Sequence, residues 1–177
     1  VLLTGANGFV GHAILSSLEK HYCKHVRAAV RWGKRDRVDC DDTVEVGSLD
    51  GEANWTSALQ GVDVVVHTAA RAHVMADVAS DPLRMFRSVN VAGTRTLAHQ
   101  AAAQGVRRFV FISSIKVNGE QTTTDHSFRA DDMPGPQDPY AVSKWEAEQS
   151  LLSLAQETSM EVVIIRPPLV YGPGVKG

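Results

Sequence analysis

A phenol and an ammonium four residues apart on one helix can move a proton. Tyr140 and Lys144 lie in the run Tyr140-Ala141-Val142-Ser143-Lys144, directly after Asp138-Pro139. That pair reads as a helix cap followed by a proline at the first helical position. Residues i and i+4 then sit one turn apart on one face. A lysine ammonium beside a phenol favours the phenolate and lowers a pKa that is normally about 10. A proton-transfer group working near neutral pH needs that shift. Ser114, where an apolar strand runs out, supplies a hydroxyl that could hold a substrate oxygen in line with Tyr140.

A second constellation stands at the start of the chain. Gly5, Gly8 and Gly11 follow the short apolar run Val1-Leu2-Leu3-Thr4, and the helical pattern Val10, Ile14, Leu15, Leu18 begins among them. Strand, tight turn and helix in that order suit a dinucleotide. Gly5 takes the turn's backbone angles, Gly8 admits a pyrophosphate to the main chain, and Gly11 lets helix pack on strand. The helix N-terminus offers an anion unpaired N–H groups and a positive dipole end. Twenty positions beyond Gly11 stands Arg31, with Lys34 and Arg35 close behind. An acidic residue there would hold the ribose of NAD, whereas arginine suits the 2′-phosphate of NADP. The segment also reads as a solvated basic turn, so NAD and NADP both remain open, with Arg31 pulling toward NADP.

These groups need a scaffold that brings strand ends together. Further strands are expected at His25 to Arg31, Thr43 to Val46, Val62 to His67, Arg108 to Ser113 and Glu161 to Arg166. Helices are expected from Glu52 to Gln60, from Pro82 (capped by Asp81) to Gln104, and from Pro139 to about Glu157. Asn118 to Gln137 is polar and reads as a loop. Alternating strands and helices imply right-handed crossovers and a parallel sheet. The expected fold is α/β, a doubly wound Rossmann-like sheet in the order 3-2-1-4-5-6. Ser114 then lies at the carboxyl edge, where such sheets bind ligands.

Composition narrows the class. The chain has 177 residues and a net charge of −2, without a polybasic run, which argues against nucleic acid or an anionic membrane as partner. No apolar stretch approaches the roughly 20 residues of a membrane span, and no signal peptide is visible. Cys23 and Cys40 lack metal spacing, so a reducing, cytoplasmic compartment is expected. The chain lacks an initiating Met and stops just after Gly172-Pro173-Gly174. Both ends are therefore expected to be cut. Residues 1–177 are read as one NAD(P)-binding domain, with most of a C-terminal substrate-binding part missing.

Gly5-x-x-Gly8-x-x-Gly11, His67-Thr68-Ala69-Ala70, Asn90, Ser113-Ser114, Tyr140-x-x-x-Lys144 and Arg166-Pro167-Pro168-Leu169-Val170-Tyr171-Gly172-Pro173-Gly174 occur together and in order. The set resembles the extended short-chain dehydrogenase/reductases, specifically the NAD-dependent epimerase/dehydratase family acting on nucleotide sugars. The resemblance implies that Tyr140 is the general acid/base, that Lys144 holds the nicotinamide ribose and tunes Tyr140, and that Ser114 binds the reacting sugar oxygen. It implies a pyrophosphate cradle of Gly5, Gly8, Phe9 and Gly11. Ala69, Ala70, Asn90 and Pro167 would line the rest of the cofactor site, and Leu49 would meet the adenine. Ser48 stands where the family usually has Asp, and Asn118 replaces the Tyr of its Val-Tyr-Gly.

In the family's 4,6-dehydratases an Asp-Glu pair follows the residue matching Ser114. Here Ile115 and Lys116 stand there, and neither is a base, so a dehydratase is not expected. The resemblance implies a 4-epimerase acting on a UDP-hexose through a 4-keto intermediate, in a homodimer. Arg31 favours an NADPH-dependent 4-keto-sugar reductase as the alternative, and a non-catalytic NAD(P)-binding sensor or scaffold is a third reading. His21 and His25 flank a helix end without a third ligand, so no metal is expected. His73 reads as a loop residue that is capped or faces the sugar. Trp32, Trp55 and Trp145 read as packing groups.

Overall fold

The computed structural model describes residues 1–22, 25–72, 81–122, 125 and 127–175. Six parallel strands form one sheet: β1 (Leu2–Thr4), β2 (Arg27–Arg31), β3 (Thr43–Val46), β4 (Val64–His67), β5 (Arg108–Ile112) and β6 (Glu161–Ile165). Their order across the sheet is β3-β2-β1-β4-β5-β6, the order expected of the Rossmann-like reading. β1 lies between β2 and β4, with Thr4 in register with Ala29 and His67. The strand ends that carry the glycine turn, His67 and Ser114 therefore share one edge.

Side chains alternate across a strand, and each face of the sheet accordingly has its own core. Leu3 and Ala28 pack with Leu15 of α1 (Phe9–Tyr22) on one side. Leu2, Ala29, Val65, Phe109 and Phe111 pack on the other. There they meet Leu97 and Ala101 of one helix, Ala147 and Leu151 of another, and the buried Trp55. Helices on both faces make the sheet doubly wound.

Two helices depart from expectation. The helix expected from Glu52 to Gln60 is confined to α2 (Thr56–Leu59). Upstream, Gln100 takes the backbone instead: its Oε1 accepts from Trp55 N at 2.7 Å, and its Nε2 donates to Ala53 O at 2.8 Å. The helix expected from Pro82 to Gln104 contains α3 (Pro82–Phe86), a π-helical segment (Arg87–Gly93) and α4 (Thr94–Ala103). Gly93 explains why this stretch runs so close to its neighbour. A Cβ there would stand 2.6 Å from the Leu49 carbonyl oxygen. Asp81 caps α3 by accepting from Arg84 N at 3.0 Å.

α5 (Pro139–Glu157) follows the expected bounds. Asp138 caps it, its Oδ1 accepting from Ala141 N at 2.6 Å.

Candidate active site

The glycine turn is built by close approach. Gly5 has φ +70°, a left-handed angle that favours glycine. A Cβ on it would stand 2.6 Å from Thr68 Oγ1 and 2.7 Å from Ala69 N. A Cβ on Gly11 would stand 2.1 Å from the Gly5 carbonyl oxygen. These two residues let α1 and the end of β4 close on the turn. Gly8 differs, because it is exposed and a Cβ there would meet only Gly5 O, at 3.2 Å, among the described residues. The open side of Gly8 and the adjoining start of α1 form a cradle of the kind a pyrophosphate fits. Thr68 and Ala69 are tied to β1 by hydrogen bonds to Thr4, and Phe9 lies against Gly172.

Ser114 and Tyr140 meet at the same edge. Ser114 follows β5 and accepts from Lys116 N at 3.3 Å. Its hydroxyl lies near enough to the Tyr140 phenol to draw the phenol's pKa down. Burial is the larger influence and holds that pKa above its usual 10. Asp138 adds to the rise and Lys116 opposes it. Phe86 packs edge-on against the Tyr140 ring, with centroids 6.0 Å apart.

The ammonium of Lys144 corrects the electrostatics expected from its spacing. Lys144 shares the helix face with Tyr140, but its Nζ donates to Ile112 O at 2.6 Å and lies 4.0 Å from the Phe111 ring centroid. Burial lowers its pKa to about 7, and only the Glu148 charge pulls upward. The side chain that was to acidify the phenol is itself drawn toward neutrality.

Three buried polar groups support this arrangement and were not singled out for such roles in the sequence. Glu148, fully buried, lies four residues beyond Lys144 on α5. It accepts from Ser113 Oγ, and from Arg166 through Nε at 3.0 Å and Nη2 at 2.6 Å. Arg166 also donates to Asn118 Oδ1 at 3.1 Å. Asn90 sits in the π-helical segment. It accepts from Arg71 N at 2.8 Å and donates to Ser143 Oγ at 2.9 Å, so its amide is engaged by protein groups rather than simply lining a cofactor site. His67 bonds Thr4 Oγ1 at 2.6 Å and Thr94 Oγ1 at 3.0 Å. Burial first, and the Lys144 charge second, lower its pKa to about 3. A charged residue on the buried face of α5 was the available signal for Glu148.

Other expected site residues fall as follows. Pro167 is brought beside Ser114, its carbonyl accepting from Ile115 N at 3.0 Å. Ala70 follows Ala69 at the end of β4 and is half-buried. Arg31 ends β2 and is exposed, while Arg35 is committed to Thr43 O at 2.9 Å. Leu49 packs against the core, its carbonyl pressed toward Gly93. Trp55 is a core residue as expected, but Trp32 is 73% exposed and is not a packing group. His73 and Cys23 lie outside the described residues. Among the described residues, no three His, Cys, Asp or Glu side chains group as metal ligands.

A parallel 3-2-1-4-5-6 sheet, with a glycine turn after β1 and a Ser-Tyr pair at its carboxyl edge, defines a Rossmann-like protein of the short-chain dehydrogenase/reductase type. The chain belongs to the NAD dependent epimerase/dehydratase family, whose sequence profile matches residues 1–177. It is 50% identical to a UDP-glucose 4-epimerase of Vibrio cholerae, over 99% of this chain and 53% of that protein. It is 30% identical to the dTDP-D-glucose 4,6-dehydratase of Mus musculus, over 98% of this chain and 52% of the relative. The solved structure of MoeE5 in complex with UDP-glucose and NAD superposes with a TM-score of 0.83 at 29% identity, covering 99% of this chain and 56% of that one. The chain thus spans about half the length of the curated relatives it matches.

Proposed function

We propose that this chain is the cofactor-binding part of a nucleotide-sugar 4-epimerase acting on a UDP-hexose. The observation that carries the reading is the Ser114 side chain beside the Tyr140 phenol, at the edge where Gly5, Gly8 and Gly11 form their turn. Gly5, Gly8, Phe9 and Gly11 would hold the pyrophosphate of NAD or NADP, and Ala69, Ala70, Asn90 and Pro167 would line the remainder. Leu49 would border the adenine. The nicotinamide, when bound, supplies reversible hydride transfer.

Tyr140 Oη takes the proton of the sugar's 4-hydroxyl and returns it after the resulting 4-keto sugar has presented its other face. Ser114 Oγ hydrogen-bonds the same sugar oxygen and holds it in line. Lys144 secures the nicotinamide ribose. Elimination of water is not assigned to this site. Ile115 has no proton to transfer, and the Lys116 ammonium is held by Asp138 and Glu120.

The whole protein is read as a cytoplasmic homodimer in which residues 1–177 form one domain. No helix among the described residues is long and apolar enough to cross a membrane. An NADPH-dependent 4-keto-sugar reductase is the second reading, favoured by the exposed Arg31 at the end of β2. Full-length protein given UDP-glucose is expected to form UDP-galactose. Tyr140→Phe is expected to lower turnover by at least about 10²-fold while cofactor affinity stays. Unchanged turnover in that variant removes Tyr140 from the chemistry. Consumption of NADPH with a 4-keto sugar, without epimerisation, would select the reductase.

A further inference from the structure

We propose that the ion pair between Lys116 and Asp138 is a clamp that fixes the spacing of the Ser114 and Tyr140 hydroxyls. The inference rests on reading those hydroxyls as the reacting pair. Lys116 lies two residues after Ser114, and Asp138 lies two residues before Tyr140. Lys116 Nζ donates to Asp138 Oδ2 at 2.6 Å. The chain from Ser114 to Lys116, the ion pair and the chain from Asp138 to Tyr140 therefore join the two hydroxyl-bearing residues by a short path.

Both ends of the pair are ordered by other contacts. Lys116 sits on a short 3₁₀ turn, and its N–H donates to Ser114 Oγ at 3.3 Å. Asp138 divides its oxygens: Oδ1 caps α5 at Ala141 N, and Oδ2 meets Lys116. One carboxylate thus orders the helix that presents the phenol and reaches the turn that presents the serine. Glu120, 3.3 Å from the ammonium, holds it from a second direction. The residue that removes the dehydratase base from position 116 acquires a positioning role instead.

An ion pair whose side chains are 43% and 32% exposed contributes little to global stability. A displaced hydroxyl, by contrast, slows a reaction strongly. The two effects separate in the full-length protein, with UDP-glucose and UDP-galactose as substrates. Lys116→Met is expected to lower kcat about tenfold or more, with KM for the sugar within about threefold and the melting temperature nearly unchanged. Lys116→Arg, which keeps a cation within reach of Asp138, is expected to recover most of the loss. Asp138→Asn still caps α5 and is expected to match Lys116→Met, with the double variant no slower than either single one. A kcat for Lys116→Met within about twofold of wild type, or losses that multiply in the double variant, would overturn the clamp.

If the wild-type protein turns over neither sugar, the UDP-glucose 4-epimerase reading falls, and crystal structures of the wild type and Lys116→Met judge the clamp alone. The two hydroxyls are expected to part by about 1 Å or more in the variant, a displacement large enough to matter for catalysis. An unchanged separation overturns the proposal.

Discussion

Arg166 grips the buried Glu148 carboxylate with both arms of its guanidinium, Nε reaching Oε1 at 3.0 Å and Nη2 reaching Oε2 at 2.6 Å. This pair joins the end of β6 to the middle of α5, beneath the residues that carry Ser114 and Lys144. Removing one partner leaves a desolvated charge without compensation. Arg166→Met is therefore expected to cost about 3–5 kcal/mol in denaturant unfolding of the full-length protein. The double variant Arg166→Met/Glu148→Met is expected to regain much of that loss, because apolar replacement of a whole buried pair is often neutral. A double variant as unstable as the single one would show that the network acts through geometry rather than through compensation of charge.

His67 makes stability depend on acid. Its pKa is about 3 in the fold against an ordinary 6.5, so below 6.5 the unfolded chain binds a proton that the folded one refuses. Stability is fully present above 6.5 and is lost by about 1.4 kcal/mol per pH unit as pH falls toward 3. His67→Gln keeps hydrogen-bonding groups near Thr4 and Thr94 but does not titrate. Urea unfolding between pH 6.5 and 4 is expected to show a shallower loss for the variant. Parallel profiles would mean that His67 is protonated in the fold.

The glycines of the first turn are not interchangeable. At Gly11 a methyl group would overlap the Gly5 carbonyl, and backbone must move, so Gly11→Ala is expected to cost about 3 kcal/mol. Gly8 lacks a positive φ and has space on its open side. Gly8→Ala is expected to unfold within about 1 kcal/mol of wild type, yet to weaken NAD(P) binding by about tenfold or more, because its methyl group would enter the space proposed for the pyrophosphate. Calorimetric titration beside thermal unfolding reads both. Full cofactor affinity in Gly8→Ala would move the pyrophosphate away from this turn.

What was legible in the sequence was local or periodic. The parallel sheet followed from alternation, the turn from three glycines, and the start of α5 from Asp138-Pro139. What escaped depends on tertiary approach. Gly93 inside a helical pattern was a signal for the crowding against Leu49 O, but its partner lies 44 positions away. Glu148 could be placed on the face of Lys144, whereas its guanidinium partner comes from the end of a different strand. The i, i+4 spacing located Lys144 on the correct face without saying where a long flexible side chain would end. It ends on a carbonyl and an aromatic ring, and burial then outweighs the pairing with Tyr140.

That burial gives Lys144 a measurable signature. Its ammonium is desolvated, and the charge of Glu148, engaged with Arg166, offsets the cost only in part, so its pKa falls from 10.5 to about 7. Between those values the unfolded chain carries a proton on this lysine that the folded chain has released. The stability contributed by the neutral amine is therefore complete above 10.5, declines as pH falls, and is gone below about 7. Lys144→Met preserves length and removes the titration. Relative to that variant, the unfolding free energy of the full-length wild type is expected to rise by about 1.4 kcal/mol per pH unit from 7 to 10. A flat difference between the two proteins would mean that Lys144 stays an ammonium in the fold over this range despite its burial.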